Sequence, residues 1–210
     1  MIYWKKFVHP VFGTNSYVIY NQTNDCIVID PHDVAVKHIG NFILKNNLNL
    51  KYIVNTHGHW DHISGNKYLK EKFNAPILIS EKDKDFLTEP SLNLSIFLGE
   101  EGVSPPADDY LKDEVFGFKV LETPGHTPGS VCLIHEDIVI TGDTLFKDSI
   151  GRVDFPHSDE NEMGRSLMKL LNTLEDNTLI LPGHGDTAYW GEVKEGNEIL
   201  WSFLKSFKSS

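Results

Sequence analysis

The segment VNTHGHWDHISG, residues 54–65, crowds His57, His59, Asp61 and His62 into six consecutive positions. Neutral imidazole nitrogens and carboxylate oxygens are good ligands for zinc, iron and manganese. Residues i and i+2 of an extended segment project to the same side, so His57 and His59 can share one ion, while Asp61 and His62 could serve a second. The segment follows the apolar run LKYIVNT and precedes the helix-like run SGNKYLKEKF. Ligand sites gather where a strand leads into a helix in open α/β sheets, so the cluster predicts an α/β fold with a metal site.

Three further residues repeat this setting, each at the end of a strand-like run and beside a glycine. They are His126 in LETPGHTPGS, Asp143 in IVITGDTLF and His184 in LILPGHGDT. Because a single sheet could point all three at one rim, we take them as candidate ligands. The other histidines lack this setting, and we expect them to be surface or structural residues: His9, His32, His38, His135 and His157.

Strand-like and helix-like runs alternate along the chain. The strand-like LKYIVNT, the helix-like SGNKYLKEKF and the strand-like APILIS follow one another, which predicts βαβ packing. No linker interrupts the pattern, so we expect residues 1–210 to form one domain. Residues 91–118 are interpreted as a helix packed on the core and a connector, in preference to a loop over a site. A single helix is expected over EVKEGNEILWSFLKSF, with a core-facing stripe made of Ile199, Leu200, Phe203, Leu204 and Phe207.

The charge of the chain limits its partners. The formal net charge is −11, which argues against a general nucleic-acid binder and against adhesion to anionic membranes. No apolar run reaches membrane-spanning length, and MIYWKKFVHPVFG lacks the apolar region of a signal peptide. We therefore expect a cytoplasmic protein that acts on a small molecule, without nucleic-acid or membrane partners. The oligomeric state cannot be read from these features.

The ordered set His57-x-His59-x-Asp61-His62, His126, Asp143 and His184 resembles the metallo-β-lactamase superfamily. The resemblance implies an α/β fold, the αββα sandwich of the metallo-β-lactamase type, in a single domain. It also implies two divalent metal ions, zinc in the first instance, with iron or manganese as alternatives. The first metal would be bound by His57, His59 and His126, the second by Asp61, His62 and His184, and Asp143 would bridge both.

Two longer motifs, GDTLFKDSIGRVDFP and TPGHTPGSVC, resemble the glyoxalase II (hydroxyacylglutathione hydrolase) branch. True β-lactamases usually carry cysteine in place of Asp143, which speaks against antibiotic hydrolysis. Glyoxalase II proper continues into a longer helical domain that holds glutathione, whereas 26 residues follow His184 here. The resemblance is therefore to the short glyoxalase II-like hydrolases. Arg152 falls where this branch places a basic residue near the substrate, which implies an anionic thioester.

The resemblance implies a metal-dependent hydrolase that cleaves thioesters such as S-D-lactoylglutathione or a related acyl-thiol. Two cations that share a water lower its pKa towards neutrality, and the resulting metal-bridging hydroxide would attack the acyl carbon. The catalytic residues would be Asp61, which orients the nucleophile, and Asp143, which sets the metal spacing. Thr56, Asp30 and Thr127 are candidates for outer groups that fix the imidazole tautomers.

Two other activities stay open. The persulfide dioxygenase branch resembles the chain through GRVDF and much of the same motif set, but uses one iron held by two histidines and one aspartate. This oxidoreductase is the alternative to thioester hydrolysis. Phosphodiesterase or nuclease activity is less favoured, because the chain is acidic and has no basic patch.

Overall fold

A computed structural model describes residues 1–99 and 102–208 of the chain. The chain divides into two compact units, Met1–Leu111 and Lys112–Ser210. Each unit has its own sheet, which among the described residues has six strands, and its own apolar core. That residues 1–210 form one domain stays a prediction.

The N-terminal unit begins with an antiparallel meander and continues with parallel strands. Its strands are β1 (Ile2–Val8), β2 (Asn15–Asn21), β3 (Asp25–Ile29), β4 (Asn49–Val54), β5 (Ile77–Ile79) and β6 (Asp109–Tyr110). Their order in the sheet is the order in the chain. Its helices are α1 (Val36–Lys45), α2 (Trp60–Ile63) and α3 (Asn66–Phe73), and short 3-10 helices span Glu81–Leu87 and Ser95–Leu98.

The predicted βαβ packing is confirmed in this unit. Strand β4 pairs in parallel with β5, with Ile53 opposite Ile77, and α3 lies between the two strands in the chain. Helix α1 buries Val36, Ile39 and Ile43, which recur at helical spacing and pack in the core of this unit. Strand β4 therefore ends inside a well-packed sheet, and the histidine-rich segment begins at that end.

The C-terminal unit carries a mixed sheet whose strand order is β12-β11-β10-β9-β8-β7. Its strands are β7 (Glu114–Val115), β8 (Phe118–Glu122), β9 (Val131–His135), β10 (Ile138–Gly142), β11 (Leu179–Pro182) and β12 (Ala188–Tyr189). Its helices are α4 (Glu160–Thr173), α5 (Trp190–Gly196) and α6 (Glu198–Phe207). Helix α4 begins after Asp159, whose carboxylate accepts the Glu162 amide hydrogen at 2.9 Å. Met163, Leu167 and Leu170 of this helix recur at helical spacing and lie in the core of the unit.

The prediction of a single helix near the C-terminus is wrong, because α5 and α6 are separate helices. Asn197 ends α5 and caps α6, because its Oδ1 accepts the Leu200 amide hydrogen at 2.8 Å. Its side-chain amide also donates to the carbonyls of Phe146 and Ser149, which holds the break in place. Leu200 and Leu204 are buried as expected, but Ile199 is 52% exposed and lies outside the stripe.

The helix expected to pack on the core within residues 91–118 is also wrong. Ser95–Leu98 forms one short 3-10 helix, and its Ile96, Phe97 and Leu98 side chains are exposed. Residues 100 and 101 of this stretch lie outside the described residues. The apolar run Ile96–Leu98 therefore does not contribute to the core, although its composition suggests burial. No helix within the described residues is long and apolar enough to cross a bilayer.

Candidate metal centre

The N-terminal cluster is the set His57, His59, Asp61 and His62, which lies on the turn from β4 into α2. The ring centroid of His57 lies 4.9 Å from that of His59 and 4.2 Å from that of His62. The Asp61 Oδ2 atom lies 3.4 Å from His62 Nε2. All three imidazoles are buried, so four polar groups converge in a small volume.

Asp30 sets the tautomers of two of these histidines. Its buried carboxylate accepts from the His62 Nδ1 at 3.1 Å and from the Thr56 hydroxyl at 2.7 Å. The Thr56 hydroxyl hydrogen is thereby committed to Asp30, so His57 Nδ1, 3.2 Å from Thr56 Oγ1, must be the donor in that contact. Both imidazoles then carry their proton on Nδ1 and their lone pair on Nε2, which is the form that binds a metal. The predicted contacts of Asp30 and Thr56 with the imidazoles are thus present.

Two hydrogen bonds that hold this turn were not predicted from the sequence. The Thr14 hydroxyl donates to Asp61 Oδ2 at 2.6 Å, and Asp83 accepts the Gly58 amide hydrogen at 3.0 Å. Gly58 is required for close packing, since a Cβ there would lie 2.2 Å from the Phe86 Cβ. Threonine in the β1–β2 turn and aspartate in a 3-10 helix are common at such places, so neither carried a signal.

The C-terminal cluster is the set His126, Asp143 and His184, each of which follows a strand of the second sheet. The Asp143 Oδ2 atom lies 3.5 Å from His126 Nε2 and 3.3 Å from His184 Nε2. Asp143 and His126 are buried, and His184 is partly exposed. Gly183 makes the approach possible, because a Cβ at this position would lie 2.1 Å from Asp143 Oδ1.

The tautomer of His126 is set by a main-chain group. Its Nδ1 lies 2.8 Å from the carbonyl oxygen of Arg152, and a carbonyl can only accept. The proton is therefore on Nδ1 and the lone pair on Nε2, which faces Asp143. The Thr127 hydroxyl, expected to support the imidazoles, bonds to Ser130 Oγ at 2.7 Å.

The spacing within both clusters fits metal ligands. Two ligand atoms at zinc–nitrogen or zinc–oxygen distances and a tetrahedral angle lie about 3.3 Å apart. The carboxylate–imidazole separations of 3.3, 3.4 and 3.5 Å agree with this value, and they exceed a good hydrogen bond. The donor set, imidazole Nε2 with carboxylate oxygen, suits zinc, iron or manganese.

A second group of buried histidines carries its protons on the other ring nitrogen, Nε2. His9, His32 and Asp33 place their ligand atoms within 4.8 Å of one another. However, His9 Nδ1 accepts the amide hydrogens of Val11 and Phe12, and His32 Nδ1 accepts that of Ala35. The proton of each ring is therefore on Nε2, so these histidines are structural. Burial, with a smaller effect of His9, lowers the pKa of His32 to about 4.

Residues 9–184 match the family model of the metallo-β-lactamase superfamily. The chain belongs to the metallo-β-lactamase superfamily. The matched range includes both clusters, and it confirms the family resemblance of the ordered histidine and aspartate set. The hydrolases of this superfamily bind two divalent metals.

Relatives of this superfamily member match nine-tenths or more of its length. The hydroxyacylglutathione hydrolase GloC of Haemophilus influenzae is 34% identical over 201 residues, which cover 90% of this chain and 93% of that protein. The probable metallo-hydrolase YqgX of Bacillus subtilis is 33% identical over 209 residues, which cover 95% and 98%.

Solved structures of the superfamily confirm the predicted fold class. The BLEG-1 B3 metallo-β-lactamase matches with a TM-score of 0.87 and 31% identity, over 96% of this chain and 99% of that chain. ETHE1 from Myxococcus xanthus matches with a TM-score of 0.76 and 26% identity, over 98% and 90%. TTHA1623, in a di-iron-bound form, matches with a TM-score of 0.82 and 28% identity, over 92% and 98%.

Proposed function

We propose that this chain hydrolyses thioesters, with S-D-lactoylglutathione or a related acyl-thiol as substrate, and that its two clusters hold two divalent ions. His57, His59 and His126 would bind the first ion, and Asp61, His62 and His184 the second. The observation that carries the proposal is the position of one atom, Asp143 Oδ2, at ligand spacing from both His126 and His184. These two histidines are assigned to different ions, so a bridging carboxylate accounts for both distances. Zinc is the metal proposed in the first instance, with iron or manganese as alternatives.

The residues of the chain prepare the site for hydrolysis. When bound, the two ions would supply an ionised water and polarise the thioester carbonyl. Asp30, Thr56 and the Arg152 carbonyl hold three imidazoles in the ligand tautomer. Thr14 donates to Asp61 Oδ2 at 2.6 Å and so holds the carboxylate that would orient the attacking water. A thiolate is a good leaving group, so the reaction needs no strong general acid.

The name of one relative supports this choice of substrate. GloC of Haemophilus influenzae, a hydroxyacylglutathione hydrolase, shares 34% identity over 90% of this chain. A persulfide dioxygenase is the second candidate, since ETHE1 from Myxococcus xanthus shares the fold at 26% identity. The two candidates differ in metal content, because the dioxygenase would use one iron and consume oxygen.

The test combines elemental analysis of freshly purified protein with two assays. Thiol release from S-D-lactoylglutathione is followed under anaerobic conditions, and oxygen uptake is followed with glutathione persulfide. We expect two metals per chain and thioester cleavage without oxygen. One iron per chain with oxygen uptake and no anaerobic thiol release would replace the proposal with the dioxygenase. Cleavage of the chromogenic β-lactam nitrocefin without thioester cleavage would replace it with a lactamase.

Substitutions link the activity to the clusters. His59→Ala and Asp143→Ala should each abolish thiol release while the circular dichroism spectrum stays that of a folded chain. His38→Ala is the matched control, because His38 is an exposed histidine on α1. Full activity of either cluster variant after metal removal would refute the assignment. The cytoplasmic location stays a prediction.

A further inference from the structure

Arg152 lies in the loop between β10 and α4, and its main chain and side chain contact different partners. Its carbonyl oxygen accepts the Nδ1 hydrogen of His126 at 2.8 Å. The arginine backbone is therefore held at a constant offset from a proposed metal ligand. A contact that fixes the Arg152 side chain therefore also fixes the position of its guanidinium relative to His126.

Two neighbours order the guanidinium group. Asp154 accepts from Arg152 Nε through Oδ1 and from Nη2 through Oδ2, both at 2.8 Å. Phe155 lies beneath the group, with the Cζ atom 4.2 Å from the ring centroid. The Phe155 ring also contacts the His126 ring edge to face, with centroids 6.0 Å apart. One edge and one face of the guanidinium are thus occupied.

The edge of the guanidinium formed by Nη1 and Nη2 is not used in the contact with Asp154. A guanidinium has five N–H donors, and the bidentate contact with Asp154 uses only the Nε hydrogen and one Nη2 hydrogen. The Nη1 and remaining Nη2 hydrogens form a second fork of the shape that a carboxylate accepts in bidentate fashion. No other partner of this side chain occurs within residues 1–99 and 102–208, and the side chain is 63% exposed.

We propose that Asp154 and Phe155 are positioning residues that hold the second fork of Arg152 for a carboxylate group of the substrate. The inference rests on the proposed thioesterase function and narrows its substrate class to thioesters with a free carboxylate on the acyl group or the thiol carrier. A lysine could not replace Arg152, because an ammonium presents no planar fork and cannot be held by one edge.

The sign of the Asp154→Asn effect distinguishes positioning from simple electrostatics. Removal of a negative charge beside the binding edge should strengthen carboxylate binding if charge alone matters. Loss of an exposed bidentate pair should weaken it about twofold to fivefold if the pair orders the arginine. Phe155→Leu removes the stacked face without a change in charge, and we expect a loss of the same size.

The experiment compares two thioesters, S-D-lactoylglutathione, which carries carboxylates, and the neutral S-D-lactoyl-N-acetylcysteamine. The measured quantity is the ratio of their kcat/KM values. We expect the ratio to fall about twofold to fivefold in Asp154→Asn and Phe155→Leu, through KM of the charged substrate. It should fall more than tenfold in Arg152→Lys. Glu162→Gln breaks the exposed Arg165–Glu162 pair on α4 and is the matched control, for which the ratio should stay unchanged.

A double substitution gives the sharpest test. In an Arg152→Gln background, Asp154→Asn should no longer weaken binding of the charged thioester, and it should strengthen binding slightly by removal of a like charge. An unchanged ratio in all variants, or a rise of the ratio in Asp154→Asn alone, would overturn the inference.

Binding measurements separate this inference from the proposed function. Glutathione and glutathione diethyl ester can be titrated calorimetrically into each variant without any turnover. If neither thioester is cleaved, the proposed function fails, but a preference for free glutathione that depends on Asp154 and Phe155 still supports the carboxylate fork. If thioesters are cleaved and no such preference exists, the function stands and the inference fails.

Discussion

Replacement of Asp30 by asparagine should weaken metal binding while the fold is preserved. Asp30 is 1% exposed and has a backbone φ of 49°, which asparagine tolerates better than most residues. The side chains have the same shape, so the substitution changes mainly hydrogen-bond chemistry. In the native chain, Asp30 Oδ1 accepts the Thr56 amide hydrogen at 2.7 Å. The Oδ1 atom of asparagine can accept the same hydrogen.

The amide nitrogen would stand in the place of Oδ2, which now accepts from His62 Nδ1 and Thr56 Oγ1. An NH₂ group cannot accept, so His62 loses its partner or moves its proton to Nε2. His57 loses the same constraint, because it is held through the Thr56 hydroxyl. A hydrogen bond to a charged group contributes about 1.5–3 kcal/mol. Loss of such a partner behind a ligand lowers metal affinity about 10-fold to 100-fold, or about 1.4–2.8 kcal/mol.

Competition with a chromophoric chelator measures this loss, and long-range ¹H–¹⁵N spectra of the metal-free protein report the protonated ring nitrogen. We expect a shift of the His62 proton from Nδ1 to Nε2 together with the lower affinity. Thr56→Ser is the control, because serine keeps the hydroxyl that donates to Asp30. Wild-type affinity in Asp30→Asn, with the tautomer shifted, would refute the argument that outer hydrogen bonds prepare the ligands.

Three further substitutions test other parts of the structure. Gly183→Ala places a Cβ 2.1 Å from Asp143 Oδ1, so the carboxylate must move. We expect the free energy of unfolding to fall by about 1–3 kcal/mol, measured by urea denaturation. We also expect weaker metal binding, measured by competition with a chelator. Thr14→Val removes the 2.6 Å bond to Asp61, so kcat for thiol release should fall about tenfold or more, and Thr14→Ser should restore it. His32 is buried and neutral with a pKa of about 4, so the unfolded chain binds the extra proton between pH 6.5 and 4, and stability falls as the pH is lowered through this range. His32→Asn keeps an acceptor for the Ala35 amide and should remove about 2 kcal/mol of this acid destabilisation, measured by urea denaturation at pH 7 and pH 4.5.

The ligand candidates were predictable because their signal is local. Each of His126, Asp143 and His184 follows an apolar run and stands beside a glycine, and this pattern can be recognised without knowledge of the fold. The structure gives the physical reason at Gly183, where any side chain would collide with the carboxylate of Asp143. The parallel β4–β5 pair was predictable for a similar reason, since a helix-like run separates the two strands.

The groups behind the ligands were harder to predict, because their contacts depend on sheet register. Thr14 is 47 residues from Asp61, and Asp83 is 25 residues from Gly58. Nothing in their own segments distinguishes them from other polar residues. The partner of His126 is a main-chain carbonyl, which every residue has, so no side-chain pattern could have identified Arg152 in this role.

The errors in the helices have the same origin. An amphipathic pattern predicts a continuous helix from residue 192 to residue 207, but Asn197 breaks it through bonds to Phe146 and Ser149, about 50 residues earlier in the chain. Residue types and their local order determined the candidate metal ligands, the superfamily and most of the strands. Only the tertiary structure decided which nitrogen of each imidazole holds the proton, and which edge of Arg152 is engaged by Asp154. Those properties arise from contacts between segments, whose geometry is set by packing and register and leaves no trace in local sequence.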